Sequence, residues 1–361
     1  MIYLDHQATT PLAPEARAAM ERWLGGVDST SFGNPHSPHR LGRQAEAAVE
    51  LARERVAALF PAGGRVIFTG SATEALNLAL RGCEPGRSGA GVAISTIEHA
   101  AVDETARTLP GRLTVLPVDG AGLVDAEADW PKDTGLVSVM QVNNEIGTIQ
   151  PVERLYERAR AAGALFVCDA VQAAGKLPVA AADMIAVSAH KFYGPKGIGA
   201  LWVRDGVELQ PLITGGGQEG GFRSGTLSPA LCAGMGAAAE LALARMEEDA
   251  AHMDHLFARG LQLFAGWQLN GSADHRVSSN LNLRRAGLDV ARLMSEVRQV
   301  AFSAGSACAS GNGRTSRVLA AIGLSVTEAK GSIRLGLGRT TSEAELEEAA
   351  TLLNAAAEAQ R

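Results

Sequence analysis

The segment DMIAVSAHKFYGPKGIGALWV, residues 183–203, contains two short apolar runs separated by a polar turn. The first run leads directly into Ser188, His190 and Lys191. A lysine is almost never fully buried without a partner or a function, so an apolar run that ends in an ammonium group is unusual. The segment therefore predicts a buried strand whose end carries a functional amine.

Similar runs recur from about residue 40 to residue 240, where they alternate with Ala-rich stretches of helical type. This alternation is typical of βαβ units and of a mainly parallel sheet. The predicted strands are 65–70, 91–96, 113–118, 135–142, 164–170, 183–189 and 198–203, and the predicted helices are 40–59, 72–82, 98–108, 152–162 and 229–247. The fold class is therefore α/β, with a seven-stranded sheet flanked by helices.

The pattern changes near residue 250. SSNLNLR (278–284) and SIRLGLG (332–338) predict antiparallel strands, and further helices are expected near 289–298, 316–322 and 342–359. Since domains usually have about 100 to 200 residues, 361 residues suggest two of them. We expect a large domain at 15–250 and a smaller α+β domain at 251–361, with residues 1–14 packing on the small domain.

Composition excludes several classes of protein. The chain has 33 Lys and Arg against 39 Asp and Glu, so no basic excess attracts nucleic acid or an anionic membrane. Its start lacks the features of a secretory signal, and no apolar run reaches the ~18 residues of a membrane span. The four cysteines (Cys83, Cys168, Cys232 and Cys308) lack metal-ligand spacing and predict neither a disulfide framework nor a metal site. We expect a cytoplasmic protein that binds small molecules or proteins.

Polar residues follow several of the predicted strands, at the sheet edge where open parallel sheets bind ligands. Ser71 and Glu74 have the spacing of a capping box, and such a helix start either is a plain cap or binds an anion. His99 opens the next helix, although a lone histidine is more often structural. Asn143 and Asn144 follow a third strand, and either could simply form an Asx-turn.

The remaining strand ends add a carboxylate and the amine. Asp169 ends a nearly continuous apolar run, so its carboxylate should be half-buried and in need of a cation, and Gln172 lies close by. An anion-binding helix start, a buried Asp, a His and an inward Lys together match a pyridoxal phosphate site. Lys191 would bind the cofactor covalently, because a desolvated amine is nucleophilic. A nucleotide site is disfavoured, since neither G-x-G-x-x-G nor the P-loop spacing occurs.

An ordered set of motifs then identifies a family. It comprises YLDHQATTP, FGNPHSPHRLGRQAEAAVE, FTGSATEALNLAL, TIEHAAV, VNNEIGTIQP, CDAVQAAGK, SAHKFYGPKGIGALWVR, GGGQEGGFRSGT, SAGSACAS and SIRLGLGR. The sequence resembles the cysteine desulfurases, in the class V aminotransferase group of fold-type I pyridoxal phosphate enzymes. The resemblance covers nearly the whole chain and implies a homodimer that acts on L-cysteine.

The resemblance also implies roles for individual residues. Lys191 is the covalent lysine, Asp169 pairs with the ring nitrogen, and His99 stacks on the ring. Gln172 and Asn144 contact the oxygen side of the ring or the substrate, and Arg334 binds the substrate carboxylate with its bidentate fork. The residues implied to bind phosphate are Ala72, Thr73, Ser188 and His190, together with Thr226 from the neighbouring subunit.

Cys308 lies among small residues in SAGSACAS (303–310), which predicts an exposed loop. The resemblance implies that its thiolate takes the substrate sulfur, which leaves a persulfide on Cys308 and L-alanine as product. His99 or the substrate would remove the thiol proton. A buried structural thiol is the usual role of a free cysteine, and we keep that interpretation for the other three.

The persulfide sulfur would pass to an acceptor such as an iron–sulfur cluster scaffold, or serve other thio-cofactors. Two alternatives stay open. The chain could be a selenocysteine lyase or another lyase or transaminase of the same fold, or it could be a sulfur-relay protein that has lost the cofactor.

Overall fold

Strands and helices alternate along the computed structural model, which describes residues 1–305 and 316–360. The strands are β1 (Ile2–Tyr3), β2 (Gly64–Thr69), β3 (Gly91–Ser95), β4 (Leu113–Leu116), β5 (Thr134–Ser138), β6 (Leu165–Asp169), β7 (Met184–Ser188), β8 (Gly199–Arg204), β9 (Gln268–Leu269), β10 (Asn280–Arg284), β11 (Val300–Ala301), β12 (Ser303–Ala304) and β13 (Ser332–Gly336). The α-helices are α1 (Pro14–Glu21), α2 (Arg40–Ala57), α3 (Ala72–Gly82), α4 (Glu84–Ser88), α5 (Ala100–Ala106), α6 (Val152–Ala161), α7 (Pro229–Ala244), α8 (Met246–Leu263), α9 (Val290–Glu296), α10 (Arg317–Ala321), α11 (Val326–Lys330) and α12 (Glu343–Glu358). Among these described residues, no helix combines the length and the apolarity needed to cross a membrane.

The main sheet has the strand order β2-β8-β7-β6-β5-β3-β4 within the described part of the chain. Strand β8 is antiparallel to both of its neighbours, and the other pairings are parallel. The ten residues between β7 and β8 are too few for a helical crossover, which takes a dozen or more, so β8 must return antiparallel. The predicted α/β class with a mainly parallel seven-stranded sheet is confirmed.

The inner strands of the main sheet are buried on both faces, which explains their apolar sequences. In β7, Ile185 and Val187 pack in one apolar cluster, whereas Met184 and Ala186 pack in another. Because successive side chains of a strand point to opposite faces, a strand covered by helices on both sides needs an unbroken apolar run. The quoted segment has this run because β7 lies inside the sheet.

Strand β5 is shorter than expected. The apolar run predicted a strand at 135–142, but the regular strand is Thr134–Ser138. The residues after it remain buried and turn to pair with the next segment, where Gln150 N donates to Gln141 O and Asn143 N to Thr148 O. Apolar character therefore marks burial in this region and overstates the length of the strand.

A second sheet, β12-β13-β10-β9, is antiparallel and lies in the C-terminal part. Its apolar cluster includes Ile2 and Leu4 from the start of the chain, and β1 pairs with β11. The sequence did not predict α8 as a separate helix. The expected domain boundary near 250 falls inside α8, whose Met253 and Leu256 pack in this second cluster. The division into domains stays a prediction.

The site is positioned by strand direction. Strands β2 and β7 are both antiparallel to β8 and therefore run parallel to each other, as do β3, β5 and β6. The carboxyl ends of these five strands consequently meet at one edge of the sheet. The polar segments that follow them are brought together there.

Gly199 allows α3 to begin at this edge. It starts β8, pairs with Ser188, and lies against the turn that opens α3. A Cβ atom at Gly199 would come within 2.6 Å of Ser71 C and 2.8 Å of Ala72 N. Both contacts are with backbone, which cannot rotate away as a side chain would.

We expect Gly199→Ala to lower the free energy of unfolding by about 1 to 3 kcal/mol, because the added methyl overpacks the start of α3. Urea denaturation followed by circular dichroism measures the change. Gly266→Ala is the matched control, since a Cβ there meets nothing within 4 Å. Equal stabilities for the two variants would contradict the proposed close approach.

Candidate active site

Ten of the twelve residues predicted for the site line one cavity of about 360 Å³ at this sheet edge. They are Ala72, Thr73, His99, Asn144, Asp169, Gln172, Ser188, His190, Lys191 and Arg334. Thr226 is exposed at the end of the Gly-rich loop, residues 213–226, and is not part of the lining of the cavity. Cys308 lies outside the described residues.

Lys191 ends a single 3₁₀ turn that follows β7 directly, Ala189–Lys191. Its Nζ donates hydrogen bonds to the carbonyl oxygens of Gln7 and Ala8, at 2.5 and 3.0 Å. Burial and the charge of Arg334 lower the pKa of Lys191 to about 8, against the opposing effect of Asp169. At neutral pH roughly a tenth of these amines are therefore uncharged and nucleophilic.

Asp169 is the last residue of β6, and its side chain is buried. One carboxylate oxygen, Oδ1, accepts a hydrogen bond from Val171 N at 3.0 Å. Burial raises the pKa of Asp169, while His99 and Lys191 act in the opposite direction. The sequence predicts a half-buried carboxylate here, but Asp169 is almost completely buried, and it lines the same cavity as Lys191.

His99 caps the start of α5. Its Nδ1 accepts a hydrogen bond from Ala101 N at 3.1 Å. Because Nδ1 accepts this bond, the proton of a neutral ring is assigned to Nε2. The ring can therefore donate a hydrogen bond from Nε2 while Nδ1 still accepts from Ala101 N. The ring both caps the helix and lines the cavity, so its structural role leaves it in place to contact a ligand.

The start of α3 presents backbone N–H groups to the cavity. Ser71 Oγ accepts from Glu74 N at 3.3 Å, and Glu74 Oε2 accepts from Gly70 N at 2.7 Å. In a capping box Glu74 would accept from the N–H of Ser71, but here it accepts from the N–H of the preceding residue, Gly70. Ala72 and Thr73 are the first residues of α3 and line the cavity, so their N–H groups are available to an anion.

Ser188 and His190 flank the same end of the cavity. His190 Nδ1 lies 3.1 Å from Thr9 Oγ1. Burial, with the charges of Lys191 and Lys196, lowers the pKa of His190 to about 4. The ring is therefore neutral at pH 7 and has one N–H group to donate.

The two adjacent asparagines have different roles, one in an Asx-turn and one in the wall of the cavity. Asn143 forms the Asx-turn, since its Oδ1 accepts from Glu145 N and Ile146 N at 2.9 and 3.0 Å. Asn144 lines the cavity. Only the second asparagine is placed to contact a ligand.

Arg334 comes from β13 of the second sheet and reaches the cavity from the other side. Its guanidinium donates to Asp5 Oδ1 at 2.9 Å, to Ser303 Oγ at 3.0 Å and to Asn144 O at 2.9 Å. These three acceptors hold the planar group in one orientation. The orientation of the guanidinium is therefore set before any carboxylate binds.

The N-terminal segment supplies contacts that the sequence analysis did not assign. Asp5 binds Arg334, the Gln7 carbonyl accepts from Lys191, and Thr9 contacts His190. The only signal was the polar motif YLDHQATTP, in which no spacing identifies a site. The partners lie between 181 and 329 residues away in sequence, so only the fold brings them together.

Two ion pairs fasten the Gly-rich loop that carries Thr226. The buried carboxylate of Glu219 accepts from both terminal nitrogens of Arg53 at 2.7 Å and from Phe68 N at 2.6 Å. Arg223 donates to Glu74 at 2.8 Å. The loop is thus tied to α2, β2 and α3, although its glycines permit many conformations.

Comparison with known proteins identifies the family of this chain. Residues 2–348 match the family model of the class-V aminotransferases. The chain is 42% identical to the cysteine desulfurase IscS of Rickettsia akari (strain Hartford), over 98% of this chain and 90% of that protein. The resemblance inferred from the motifs is confirmed.

Solved structures give the same result. A NifS-like protein superposes with a TM-score of 0.89 at 31% identity, over 99% of this chain and 98% of that one. The structure described as SspA in complex with cysteine gives a TM-score of 0.82 at 34% identity, over 95% and 100% of the two chains. The chain belongs to the class-V aminotransferase family, and within it to the group of the cysteine desulfurases.

Proposed function

We propose that this protein is a pyridoxal phosphate-dependent cysteine desulfurase. It converts L-cysteine to L-alanine and carries the released sulfur as a persulfide on Cys308. The observation that supports this most directly is that Lys191, Asp169 and Arg334 line one cavity. These residues supply a nucleophilic amine, a buried carboxylate and a carboxylate-binding guanidinium.

The residues of the cavity fit pyridoxal phosphate. Lys191 would hold its aldehyde carbon, Asp169 its ring nitrogen and His99 its ring face. The phosphate would be held by Ala72, Thr73, Ser188 and His190, with Thr226 of a second subunit, and the oxygen side by Gln172 and Asn144. When bound, the cofactor withdraws electrons from the Cα atom of the amino acid.

The charges of the site support these assignments. Asp169 is buried, and a cation such as a protonated ring nitrogen would compensate its charge. Phosphate at the start of α3 would meet free N–H groups and the positive end of an eleven-residue helix. His190 is neutral there and can still donate one hydrogen bond.

Arg334 would bind the carboxylate of L-cysteine. Because Asp5 and Ser303 already hold its guanidinium, little side-chain entropy is lost when the substrate binds. His99, with its proton on Nε2, can donate a proton toward the bound substrate. A role as base would require the ring to release its cap on Ala101 N.

The described cysteines do not suit the sulfur transfer, which supports Cys308 by elimination. Cys83, Cys168 and Cys232 are buried. Burial raises the pKa of Cys83 to about 11 and that of Cys232 to about 12, and raises that of Cys168 as well. Thiols with such pKa values supply almost no thiolate at neutral pH.

In the proposed transfer, the Cys308 thiolate attacks the sulfur atom of the substrate. The carbon–sulfur bond breaks, and its electron pair stays with the carbon, which takes up a proton to give L-alanine. Cys308 is left with a persulfide, whose outer sulfur passes to an acceptor protein. We propose a homodimer, and an iron–sulfur cluster scaffold or another thio-cofactor pathway as the acceptor.

With L-cysteine and a reducing thiol, we expect the protein to release sulfide and L-alanine in equal amounts. Cys308→Ala should lower both by at least about 100-fold, because the nucleophile is lost, while the visible absorbance of the bound cofactor is kept. Cys232→Ala is the control, since that thiol is buried in the core. Normal sulfide release by Cys308→Ala would exclude the persulfide route.

Selenocysteine tests the alternative assignment as a selenocysteine lyase. A desulfurase should lose activity toward L-cysteine when Cys308 is replaced. A lyase specific for selenocysteine would turn over that substrate much faster than cysteine, with or without the thiol. Side-by-side measurement of alanine formation from the two substrates separates these functions.

We expect the rate at which the apoprotein takes up pyridoxal phosphate to rise with pH and to level off above about 8. The uncharged amine is the nucleophile, and the pKa of Lys191 is about 8. Stopped-flow absorbance between pH 6.5 and 9.5 measures the profile. Lys191→Arg should show no covalent uptake, whereas Lys132→Arg, at an exposed site, should behave as the wild type. A flat profile would show that Lys191 does not titrate in this range.

A further inference from the structure

We propose that Lys176 is a positioning residue for the proposed active site, because its side chain fixes which end of the Gln172 amide faces Gln7 and the cofactor cavity. The inference rests on the proposed function and deepens it. Lys176 takes no part in the sulfur transfer proposed above.

Lys176 lies behind the wall of the active-site cavity. It lines a second cavity, of about 210 Å³, and Lys191 borders both. No carboxylate forms an ion pair with Lys176 among residues 1–305 and 316–360. A half-buried amine without a carboxylate is costly, so its hydrogen bonds should account for its presence.

Both hydrogen bonds of the Lys176 side chain go to one residue. Its Nζ donates to the backbone oxygen and to the side-chain Oε1 of Gln172, each at 3.1 Å. The other end of the same amide, Nε2, donates to the Gln7 carbonyl at 2.9 Å. Gln172 is thus held between a donor on one side and an acceptor on the other.

This arrangement determines the orientation of the amide. A flipped Gln172 would place its NH₂ group against the amine N–H groups of Lys176 and its oxygen against the Gln7 carbonyl. Both contacts would be repulsive, since donor would meet donor and acceptor would meet acceptor. With the observed orientation, one N–H of the amide binds Gln7 and the second is left for a ligand in the cavity that Gln172 lines.

The network reaches the proposed covalent lysine. The Gln7 carbonyl that accepts from Gln172 also accepts from Lys191. A change at Lys176 would therefore alter both the donor offered to the cofactor and one of the two acceptors of Lys191. Burial and the charge of Lys191 lower the pKa of Lys176 to about 7. A neutral Lys176 keeps two N–H groups for Gln172 but gains a lone pair that can accept from a flipped amide, so the charged amine orients Gln172 most strongly. When Lys176 is neutral, the Gln7 carbonyl still requires the observed orientation, because it accepts from Gln172 Nε2.

Lys176→Met removes the donors and keeps much of the side-chain volume, whereas Lys176→Arg keeps N–H donors at this position, beside the second cavity. Lys132→Met is the control at an exposed lysine. The first measurement is NMR of apoprotein labelled with ¹⁵N at glutamine, with the Gln172 NH₂ signals assigned by their loss in Gln172→Glu. The second is the dissociation constant for pyridoxal phosphate, from its visible absorbance.

In Lys176→Met we expect the Gln172 NH₂ protons to exchange with water about tenfold faster. We also expect the dissociation constant for the cofactor to rise about tenfold. Both changes correspond to the loss of one hydrogen bond. Lys176→Arg and Lys132→Met should stay within about twofold of the wild type. Wild-type behaviour of Lys176→Met, or failure of Lys176→Arg to restore both values, would overturn the inference. The NMR measurement needs no cofactor, so it can test the role of Lys176 by itself. A wild-type protein that takes up no pyridoxal phosphate would refute the proposed function, and the exchange rate of the Gln172 NH₂ protons would still decide the role of Lys176.

Discussion

The common direction of five strands is the constraint on which the site depends. Strand β8 returns antiparallel after a short connection, and this reversal makes β2 run the same way as β7. The start of α3 therefore opens at the same edge as Lys191 and Asp169. If β8 had been joined by a crossover helix, the turn that offers N–H groups to an anion would lie at the opposite edge. The connection that carries Lys191 thus also positions the anion site.

Electrostatics within the cavity keep the amine reactive. Asp5, the carboxylate that could have paired with Lys191, is hydrogen-bonded to Arg334 and Ser303 instead. Within residues 1–305 and 316–360, the hydrogen bonds of Lys191 Nζ go to the carbonyl oxygens of Gln7 and Ala8. A carbonyl accepts from a charged or a neutral amine, so it holds the side chain in place without stabilising the charge as a carboxylate would. The side chain of Lys191 is therefore held in place while its pKa stays low.

The sequence predicts those parts of the structure that depend on local pattern. The inner strands of the main sheet can be predicted because burial on both faces demands apolar runs. Asp169 and Lys191 are conspicuous because polar groups at the ends of such runs are rare. Asp5, Gln7 and Thr9 could not be assigned in this way, since their roles arise from contacts across nearly two hundred residues or more. The prediction ends a helix at residue 247, close to the end of α7, but it does not include α8. Arg245 ends α7 and also begins α8, so this one residue alone separates the two helices. Local pattern thus finds the elements, while long-range contacts decide which polar residues act together.

The residues on either side of the undescribed segment 306–315 lie close to Arg334. Before it, Gly305 N donates to the carbonyl of Ser332 at 2.7 Å, on the strand that carries Arg334. After it, Ser316 Oγ donates to Glu145 at 2.5 Å, and Glu145 is adjacent to Asn144, whose carbonyl accepts from Arg334. The ion pair between Arg317 and Asp103 ties α10 to α5, the helix that His99 caps. The chain therefore enters and leaves the segment that contains Cys308 beside the groups proposed to hold the substrate, which is the arrangement that a direct transfer of sulfur to this residue requires.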